Sequence, residues 1–436
     1  MNRTLKDSGI TWLGEIPEYW QTKKVKYIFR IIKNIANEKG HNVLSVTQKG
    51  LKIKDISSNE GQIAMDYGKY QLVNPGDFVM NHMDLLTGWV DCSKYNGVTS
   101  PDYRVFKFIE DKSCSSDYYK YIFQMCYSNK IFYGLGQGVS NLGRWRLQTD
   151  KFINFVLPLP SLNEQQKISK FLDQKVSQID SIIENTKLSI EELIKYKQVI
   201  ITEAVTKGLH PDVEMKDSGI EWIGQIPVTW NTVKLKYLLK KGKASMKVGP
   251  FGSQLKGSDF IDEGFWVYNQ RTVLDKNFKQ NNTYISEKKY NELIGFKVEE
   301  NDILVTTRGS IGKICKVPSN YYKGIIHPCI IKFRLDESLM IFRLFELIFN
   351  ETDFVREQLS LLSNSTTIDV VYSNTLKNIF LVKIPIQEQQ EIMSYLEGKI
   401  SHIDNLLKQK QQVIKELQEY KKSLIYEYVT GKKEVL

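Results

Sequence analysis

The stretch LNEQQKISKFLDQKVSQIDSIIENTKLSIEELIKYKQVIITEAVTKG occupies residues 162–208, and a related stretch, IQEQQEIMSYLEGKISHIDNLLKQKQQVIKELQEYKKSLIYEYVTG, occupies residues 386–431. Apolar residues recur in both at alternating steps of four and three, which is the heptad spacing of a coiled coil. The predicted seam contains Leu172, Val176, Ile179, Ile183, Ile190 and Leu193 in the first stretch and Leu396, Ile400, Ile403, Leu407, Ile414 and Leu417 in the second. We therefore predict two long helices that pair with each other.

Polar residues interrupt the two seams at matching positions. Thr186 aligns with Lys410, and Lys197 aligns with Lys421. Isolated polar seam residues weaken a coiled coil but set its register and its number of partners. Two unrelated amphipathic helices, each packed on a separate core, are the alternative to a paired coiled coil.

Length and composition fit a chain of two or three domains. With 436 residues and 42% hydrophobic content, the chain can bury sizeable cores. We expect a cytoplasmic protein, because no signal peptide opens the sequence and no apolar run approaches the roughly 18 residues that span a bilayer. The five cysteines are scattered and lack CxxC spacing, so we expect free thiols in a reducing compartment.

The net charge of +10 is concentrated outside the two helical stretches. Lysine and arginine exceed aspartate and glutamate by six in residues 1–160 and by four in residues 211–384, whereas both helical stretches are balanced. A positive surplus in the globular regions suits a polyanion such as DNA. Many basic proteins bind no nucleic acid, so charge alone leaves the partner open.

A second repeat opens each half of the chain. KDSGITWLGEIPEYW at residues 6–20 returns as KDSGIEWIGQIPVTW at residues 216–230. Its tryptophans, proline and glycines predict a fixed corner that packs the chain onto a helix end. The order of corner, variable region and long helix therefore occurs twice, which marks a duplicated unit. The duplication predicts antiparallel helices, a pseudo-twofold arrangement and one globular region near each end of the helix pair.

The two variable regions have a common outline but different loops. Short β-rich runs, divided by Gly, Asn and Pro, predict strands at residues 42–47, 77–80, 103–108, 265–268, 302–306 and 325–333. Helices are predicted at residues 116–129 and 339–358. Each region is therefore expected to be a mixed α/β domain, and the fold class is α+β.

Several short motifs are distributed in a definite order over nearly the whole chain. The long-helix motifs are Pro158–Pro160 followed by Asn163–Gln166, and Ile384–Pro385 followed by Glu388–Gln390. The variable-region motifs are Asn74–Asp77 and Gly97–Tyr103 in the first half and Gly249–Ser253, Asn301–Leu304 and Arg308–Gly312 in the second. Together with the duplicated corner, these motifs in this order resemble the DNA-specificity (S) subunit of Type I restriction-modification enzymes.

The resemblance implies a non-catalytic subunit that binds double-stranded DNA, two methyltransferase (M) subunits and restriction (R) subunits. It implies a first target-recognition domain at residues 1–160, a central long helix at 161–208, a second target-recognition domain at 209–384 and a C-terminal long helix at 385–436 that pairs with the central one. Each domain is expected to read half of an asymmetric bipartite target, while the coiled coil sets the spacer and docks M subunits. About 43 helical residues span ~65 Å, comparable to about 19 base pairs.

No motif supports an independent enzyme, a cofactor or a metal site. The run Arg308–Lys313 has two residues between its glycines, whereas a phosphate-binding loop needs four. Ser100–Tyr103 lacks the second proline of the adenine methyltransferase motif, and no glycine-rich cofactor loop precedes it. The nuclease-like Glu214–Lys216 follows Asp212 too closely. The five histidines form no cluster with cysteines, so no metal site is predicted.

Candidate DNA contacts follow from residue type and loop position. Lysines in the acid-free stretch between Glu221 and Asp259 suit phosphates, and polar side chains at loop tips suit base edges. A solvated surface and turn-stabilising hydrogen bonds are the alternatives. The candidates in the first region are Asn81, His82, Tyr103, Arg104, Arg144 and Arg146. Those in the second are Lys241, Lys243, Lys247, Ser253, Lys256, Asn269, Gln270, Arg271, Thr307, Arg308, Lys313, Asn364 and Thr366.

Two other functions also fit the sequence. One is a stand-alone or modification-only DNA-binding protein, and the other is a coiled-coil scaffold that binds no nucleic acid. Salt-sensitive retention on DNA in the presence of the M subunit is expected of a specificity subunit or of another DNA-binding protein, but not of the scaffold.

Overall fold

The computed structural model describes residues 3–56, 66–110, 113–138, 145–242, 245–251, 253–280, 283–362 and 371–435. The chain divides into two compact units: unit 1 comprises residues 1–187 and 411–436, and unit 2 comprises residues 188–410. Each unit therefore contains one globular region and part of both long helices.

Short strands and short helices form the first globular region. The strands are β1 (Leu5–Asp7), β2 (Glu15–Pro17), β3 (Gln21–Lys24), β4 (Phe29–Ile32), β5 (Leu44–Thr47), β6 (Gly50–Ile53), β7 (Gln71–Val73), β8 (Phe78–Met80), β9 (Val90–Cys92), β10 (Gly97–Thr99), β11 (Arg104–Phe108) and β12 (Val156–Leu159). The helices are α1 (Ser116–Ser128), α2 (Ile131–Gly134) and α3 (Thr149–Ile153). The first long helix, α4, follows at Leu162–Lys207.

The second half of the chain repeats this plan. Its strands are β13 (Met215–Asp217), β14 (Gln225–Pro227), β15 (Asn231–Lys234), β16 (Met246–Val248), β17 (Phe260–Ile261), β18 (Phe265–Tyr268), β19 (Tyr284–Ile285), β20 (Ile303–Thr306), β21 (Ile314–Lys316), β22 (Gly324–Ile326), β23 (Ile330–Phe333) and β24 (Phe380–Lys383). Its short helices are α5 (Gln270–Asp275), α6 (Glu287–Glu292), α7 (Phe342–Glu351), α8 (Asp353–Leu362) and α9 (Ser373–Asn378). The second long helix, α10, is Ile386–Val429.

The same four-stranded antiparallel sheet is present in both units. Its strand order is β4-β11-β8-β9 in unit 1 and β16-β23-β20-β21 in unit 2. A buried aspartate, Asp77 or Asp302, precedes the strand that is third in each order. Its carboxylate accepts the backbone N–H three residues earlier, from Asn74 at 2.8 Å or from Glu299 at 2.9 Å. The two globular regions are therefore built on one scaffold.

Two predicted elements of the second region are each divided in the structure. The strand expected at residues 325–333 is two strands, β22 and β23, because His327–Cys329 contains a proline that cannot donate to a ladder. The helix expected at residues 339–358 is α7 followed by α8. Thr352 lies between them in an extended conformation, and its hydroxyl bonds back to the carbonyl of Ile348.

The long helices α4 and α10 pair antiparallel in both units. In unit 1 the Lys421 ammonium lies 2.6 Å from Asp180, and in unit 2 the Lys197 ammonium lies 2.9 Å from Asp404. Asp180 and Lys197 are as far apart along α4 as Asp404 and Lys421 are along α10, so the register is the same in both units. Exposed ion pairs contribute less than about 1 kcal/mol each, so these two act mainly on register.

The predicted seam residues are all buried or half-buried. Leu172 and Leu396, which lie closest to the globular regions, are 0% exposed, whereas Ile190 and Ile414 are half-buried. The seam is thus best covered where a globular region packs beside the helix.

A fully buried glutamine ties the start of α4 to its own globular region. The Oε1 atom of Gln165 accepts the backbone N–H of Ser115 at 2.8 Å. Its Nε2 atom donates to the carbonyl oxygens of Pro160 at 2.9 Å and Ser113 at 3.4 Å. One amide therefore satisfies backbone groups before α1 and before α4.

Gln389 repeats this arrangement at the start of α10. It accepts the N–H of Ile341 at 2.8 Å and donates to the carbonyl oxygens of Ile384 at 2.8 Å and Leu339 at 2.9 Å. Like Gln165, it is 0% exposed. The glutamines of the repeated motif thus have a structural role in both units.

The glutamate before each of these glutamines binds the tryptophan of a corner. The indole N–H of Trp20 donates to Glu164 at 2.9 Å, and that of Trp230 donates to Glu388 at 3.0 Å. Both indoles are at most 1% exposed. Each corner is thereby fixed to the start of the long helix in its own half.

The opposite side of each corner contacts the end of the other long helix. Gly208 and Gly431 have positive φ angles of 78° and 76° and end α4 and α10. A Cβ on Gly431 would lie 2.8 Å from the ring of Trp20, and one on Gly208 would lie 3.4 Å from the ring of Trp230. Both positions require glycine for the left-handed conformation, and Gly431 also for the close approach.

We expect Gln165→Ala to lower the free energy of unfolding by about 2–4 kcal/mol, because it leaves buried backbone groups without partners. Urea denaturation followed by circular dichroism measures the change. Gln166→Ala is the matched control, since Gln166 is the next residue and is exposed; it should change stability by less than about 0.5 kcal/mol. Equal effects of the two substitutions would contradict the assigned role.

Candidate nucleic-acid interface

Arg308 lies on the loop that follows β20 in unit 2, and the residue before it is fixed. Thr307 is 4% exposed. Its backbone N–H and its hydroxyl both donate to the carbonyl oxygen of Cys329, at 3.0 and 2.9 Å, and its own carbonyl accepts the N–H of Val371 at 2.9 Å. The N–H, hydroxyl and carbonyl groups of Thr307 are therefore hydrogen-bonded within the protein, whereas the Arg308 side chain is exposed.

The loop between β20 and β21 is closed by its own hydrogen bonds. The hydroxyl of Thr306 donates to the carbonyl of Ser310 and accepts the N–H of Lys313 at 3.1 Å. Gly309 and Gly312 have φ angles of 65° and 76°, which favour glycine. The loop is thus a rigid support for Arg308.

His327 lies in the connection between β22 and β23, beside this loop. Its Nδ1 atom is 2.9 Å from the sulfur of Cys329. Burial, and then the positive charge of Arg308, lower the pKa of His327 below its usual value. The imidazole is therefore neutral at physiological pH, and Arg308 supplies the positive charge here.

Gln270 presents its amide to the same loop. A Cβ on Gly309 would lie 3.2 Å from Nε2 of Gln270. The preceding residue, Asn269, caps α5 by accepting the N–H groups of Arg271 at 3.0 Å and Thr272 at 3.3 Å. Asn269 is thus used by the fold, and Gln270 carries the amide next to Arg308.

Two other predicted contacts of unit 2 have partners within the protein. Lys313 donates to the carbonyl oxygen of Asn350, and burial lowers its pKa. Arg271 is 81% exposed and lies 3.2 Å from Asp275, so it can still reach a ligand. Lys313 is already engaged inside unit 2.

The remaining predicted contacts of unit 2 belong to the acid-free stretch or fall outside the described residues. Lys241, Lys247, Ser253 and Lys256 are exposed. The described residues do not include three positions predicted in the second region, which are Lys243, Asn364 and Thr366. They also do not include Arg144, which is predicted in the first region.

In unit 1, His82 occupies the position that corresponds to Thr307, because each lies five residues after the aspartate that precedes the strand. Asn81, just before it, is half-buried, and its Oδ1 atom accepts the N–H of Met83 at 3.3 Å. The backbone oxygen of His82 accepts the N–H of Leu147 at 2.9 Å. The loop after β8 is therefore also held by the fold.

His82 is neutral at physiological pH. Burial, and then the positive charges of Arg104 and Arg146, lower its pKa to about 4. Its Nδ1 atom is buried and has no hydrogen-bond partner among the described residues. Arg146 is exposed, and its backbone pairs with Gln137 at 3.0 and 3.1 Å. His82 and Arg146 are thus brought together at one end of the sheet.

Arg104 lies inside unit 1 and is only 4% exposed. Its guanidinium donates to the carbonyl of Leu147 at 3.1 Å and to the hydroxyl of Thr149 at 3.2 Å, and lies 4.6 Å from the ring centroid of Phe152. Burial lowers its pKa to about 10, so it is still charged. Because its side chain is buried and hydrogen-bonded within unit 1, Arg104 is not available for a DNA contact, contrary to the prediction. Tyr103 is half-buried against a small apolar cluster.

Two exposed aromatic side chains, which lie on segments that contact Thr307 or His327, are absent from the predicted contacts. Phe251 is 75% exposed and Tyr372 is 66% exposed. Tyr372 follows Val371, whose N–H binds Thr307. The position of Phe251 in the Gly249–Ser253 motif, within the acid-free stretch, is the sequence signal that could have identified it.

Neither a metal centre nor a membrane span is found in the described part of the chain. Its His, Cys, Asp and Glu side chains form no group of three that could hold a metal ion. Its helices are too short or too polar to cross a bilayer.

Comparison with known proteins places these features in a family. The model of the Type I restriction modification DNA specificity domain matches residues 17–192 and again residues 227–416. The chain belongs to this family. It is a specificity subunit of a type I restriction-modification system and serves in DNA recognition, as the sequence resemblance predicts.

The chain is similar to named relatives from an archaeon. It is 22% identical over 439 residues to the putative type I restriction enzyme MjaX specificity subunit of Methanocaldococcus jannaschii, covering 97% of this chain and 95% of the relative. It is 29% identical over 291 residues to the MjaVIII specificity subunit of the same organism, covering 64% of this chain and 63% of that one.

A solved structure shares the fold. That structure concerns complex assembly and conformational transition of the type I R-M system. The TM-score is 0.66 at 13% identity, over 95% of this chain and 98% of that one. The predicted fold class is confirmed: two mixed α/β domains and a pair of long antiparallel helices.

We expect the lowered pKa of His82 to decrease the free energy of unfolding as the pH falls. Its folded-state pKa of about 4 lies below the unfolded value of 6.5, so the unfolded chain binds more protons between these pH values and stability falls as pH falls through this window. Allowing for partial exposure, the loss at pH 5 relative to pH 7 is about 1 kcal/mol. His82→Gln should remove this part of the loss in urea denaturation at the two pH values, and an unchanged pH dependence would contradict the assignment.

Proposed function

We propose that the two units each read one half of an asymmetric bipartite sequence in double-stranded DNA. The observation that carries this proposal is that one scaffold presents different side chains at equivalent loops. The loop after β8 carries the neutral His82, with Arg146 beside it, and the loop after β20 carries the charged Arg308. Different side chains select different bases, so the two half-sites differ.

The chemistry of each loop suits base edges in the major groove. The fork of an arginine matches the O6 and N7 acceptors of guanine, and a glutamine amide matches adenine. Arg308 and Gln270 offer these two groups within one cluster of unit 2. Exposed lysines such as Lys241 and Lys256 suit phosphates, which position a protein without reading sequence.

The proposal extends to the partners of this subunit. It binds two M subunits and associates with R subunits in the cytoplasm, it has no catalytic site of its own, and its paired helices set the unread spacer. An exposed tyrosine recurs at equivalent points of the two long helices, Tyr196 at 51% and Tyr420 at 55% exposure. Tyr395 and its counterpart Phe171 each lie under a lysine ammonium. A surface that occurs twice supports a partner bound in two copies.

Arg308→Ala should weaken binding to the specific duplex by roughly 10- to 100-fold, because a bidentate arginine–guanine contact contributes about 1–3 kcal/mol of discrimination. Binding to scrambled DNA should change little. Titration of the complex with M subunits against both duplexes measures this difference. Arg308→Lys keeps the charge but loses the forked guanidinium, so it should also weaken binding to the specific duplex.

Lys241→Ala is the matched control for a phosphate contact. It should weaken binding to both duplexes alike and reduce the slope of affinity against salt by about one. Equal losses on both duplexes for Arg308→Ala would remove Arg308 from base reading.

Tyr196→Ala and Tyr420→Ala should each weaken the binding of one M subunit, because each removes one of two equivalent aromatic contacts. Light scattering at limiting M subunit concentration should show complexes with one bound copy. The double variant should bind neither, and Tyr237→Ala, an exposed tyrosine outside the long helices, should retain both. Retention of two copies by the double variant would reject this surface.

A further inference from the structure

Phe251 is the most exposed of the large hydrophobic side chains described, at 75%. Single exposed hydrophobic residues are common on proteins, so exposure alone assigns no function. What distinguishes Phe251 is a backbone fixed on both sides and a position two residues after Gly249, which packs on His327.

The backbone before Phe251 is held against the connection between β22 and β23. Gly249 donates its N–H to the carbonyl of Ile330 at 2.9 Å. A Cβ on Gly249 would lie 2.2 Å from the carbonyl oxygen of His327. Only glycine fits there, so the loop packs directly on the residue that Arg308 influences electrostatically.

The backbone of Phe251 itself is fixed by Gln254. The N–H of Phe251 donates to Oε1 of Gln254 at 3.0 Å, and its carbonyl accepts the N–H of Gln254 at 2.8 Å. The backbone of Phe251 is therefore held by Gln254, and its ring is exposed. Such a side chain loses little conformational freedom when it meets a ligand.

The surroundings of Phe251 select a polyanion as that ligand. No acidic residue occurs between Glu221 and Asp259, and Lys247 and Lys256 are exposed on either side of Phe251 in sequence. The exposed Arg308 adds positive charge beside His327, on which Gly249 packs, so this face complements DNA.

We propose that Phe251 contacts the C5 methyl group of a thymine in the half-site read by unit 2. The thymine methyl is the apolar group that base pairs display in the major groove, and phenylalanine is one of the side chains that contact it. The inference rests on the proposed DNA-reading function of unit 2. It requires at least one thymine, on either strand, within that half-site.

The test uses the full chain in complex with its M subunit. Mapping of methylated adenines first defines the target sequence. Each thymine of the half-site read by unit 2 is then replaced by deoxyuridine, which lacks only the methyl group. For the wild-type complex, one replacement should weaken binding by roughly 3- to 10-fold, as expected for one buried methyl. Phe251→Ala should bind the unmodified duplex weaker by a similar factor and should not distinguish thymine from uracil at that position.

Tyr237→Ala is the matched control, because Tyr237 is an exposed aromatic residue of unit 2 that follows the corner in sequence; it should discriminate between thymine and uracil as the wild type does. The assignment is overturned if the half-site contains no thymine, if no uracil replacement affects the wild type, or if Phe251→Ala still discriminates. It is also overturned if Phe251→Ala weakens binding to scrambled DNA as much as binding to the specific duplex, or if the variant complex loses the M subunit. Failure of the proposed function is distinct, since the wild-type complex would then show no preference for any sequence.

Discussion

The fold depends on a buried glutamine at the start of each long helix. Gln165 and Gln389 each use one amide to satisfy three backbone groups from two separate segments. The interaction requires a donor and an acceptor on one side chain, away from water, where unpaired backbone groups are costly. Because those groups flank both the start of the long helix and the start of α1 or α7, the helix leaves its globular region in a fixed direction.

The long helices and the duplication could be predicted from the sequence because their signals are local or periodic. Heptad spacing identifies the seam, and repeated letters identify the corners. The pairing of Lys197 with Asp404 and of Lys421 with Asp180 follows from the same repeat once the helices are antiparallel. The common sheet of the globular regions is not evident in the same way, because the residues of its strands differ and the shared feature is one aspartate turn.

The candidate DNA contacts could be predicted only in part, because residue type does not report whether a polar group is already bonded. Arg104, Asn269, Thr307 and Lys313 have suitable side chains, yet each has hydrogen-bond partners within the fold. Arg308 and Gln270 have the same kinds of group and meet at one loop. Because the two residues are far apart in sequence, their proximity is not evident from the sequence alone. A search for polar residues also passes over Phe251, whose significance comes from an exposed ring on a fixed backbone.

The arrangement separates stability from specificity within each unit. The residues that hold the scaffold, such as Asp77 and Asp302, lie at one end of the strand, and the loops proposed to read DNA lie at the other. Substitutions in exposed loops away from caps, glycines and buried networks usually change stability little. One scaffold can therefore carry a neutral His82 in one unit and a charged Arg308 in the other without a change in the sheet. Since the corners and buried glutamines involve none of these loop residues, each half can acquire a new recognition surface while its attachment to the long helices stays the same.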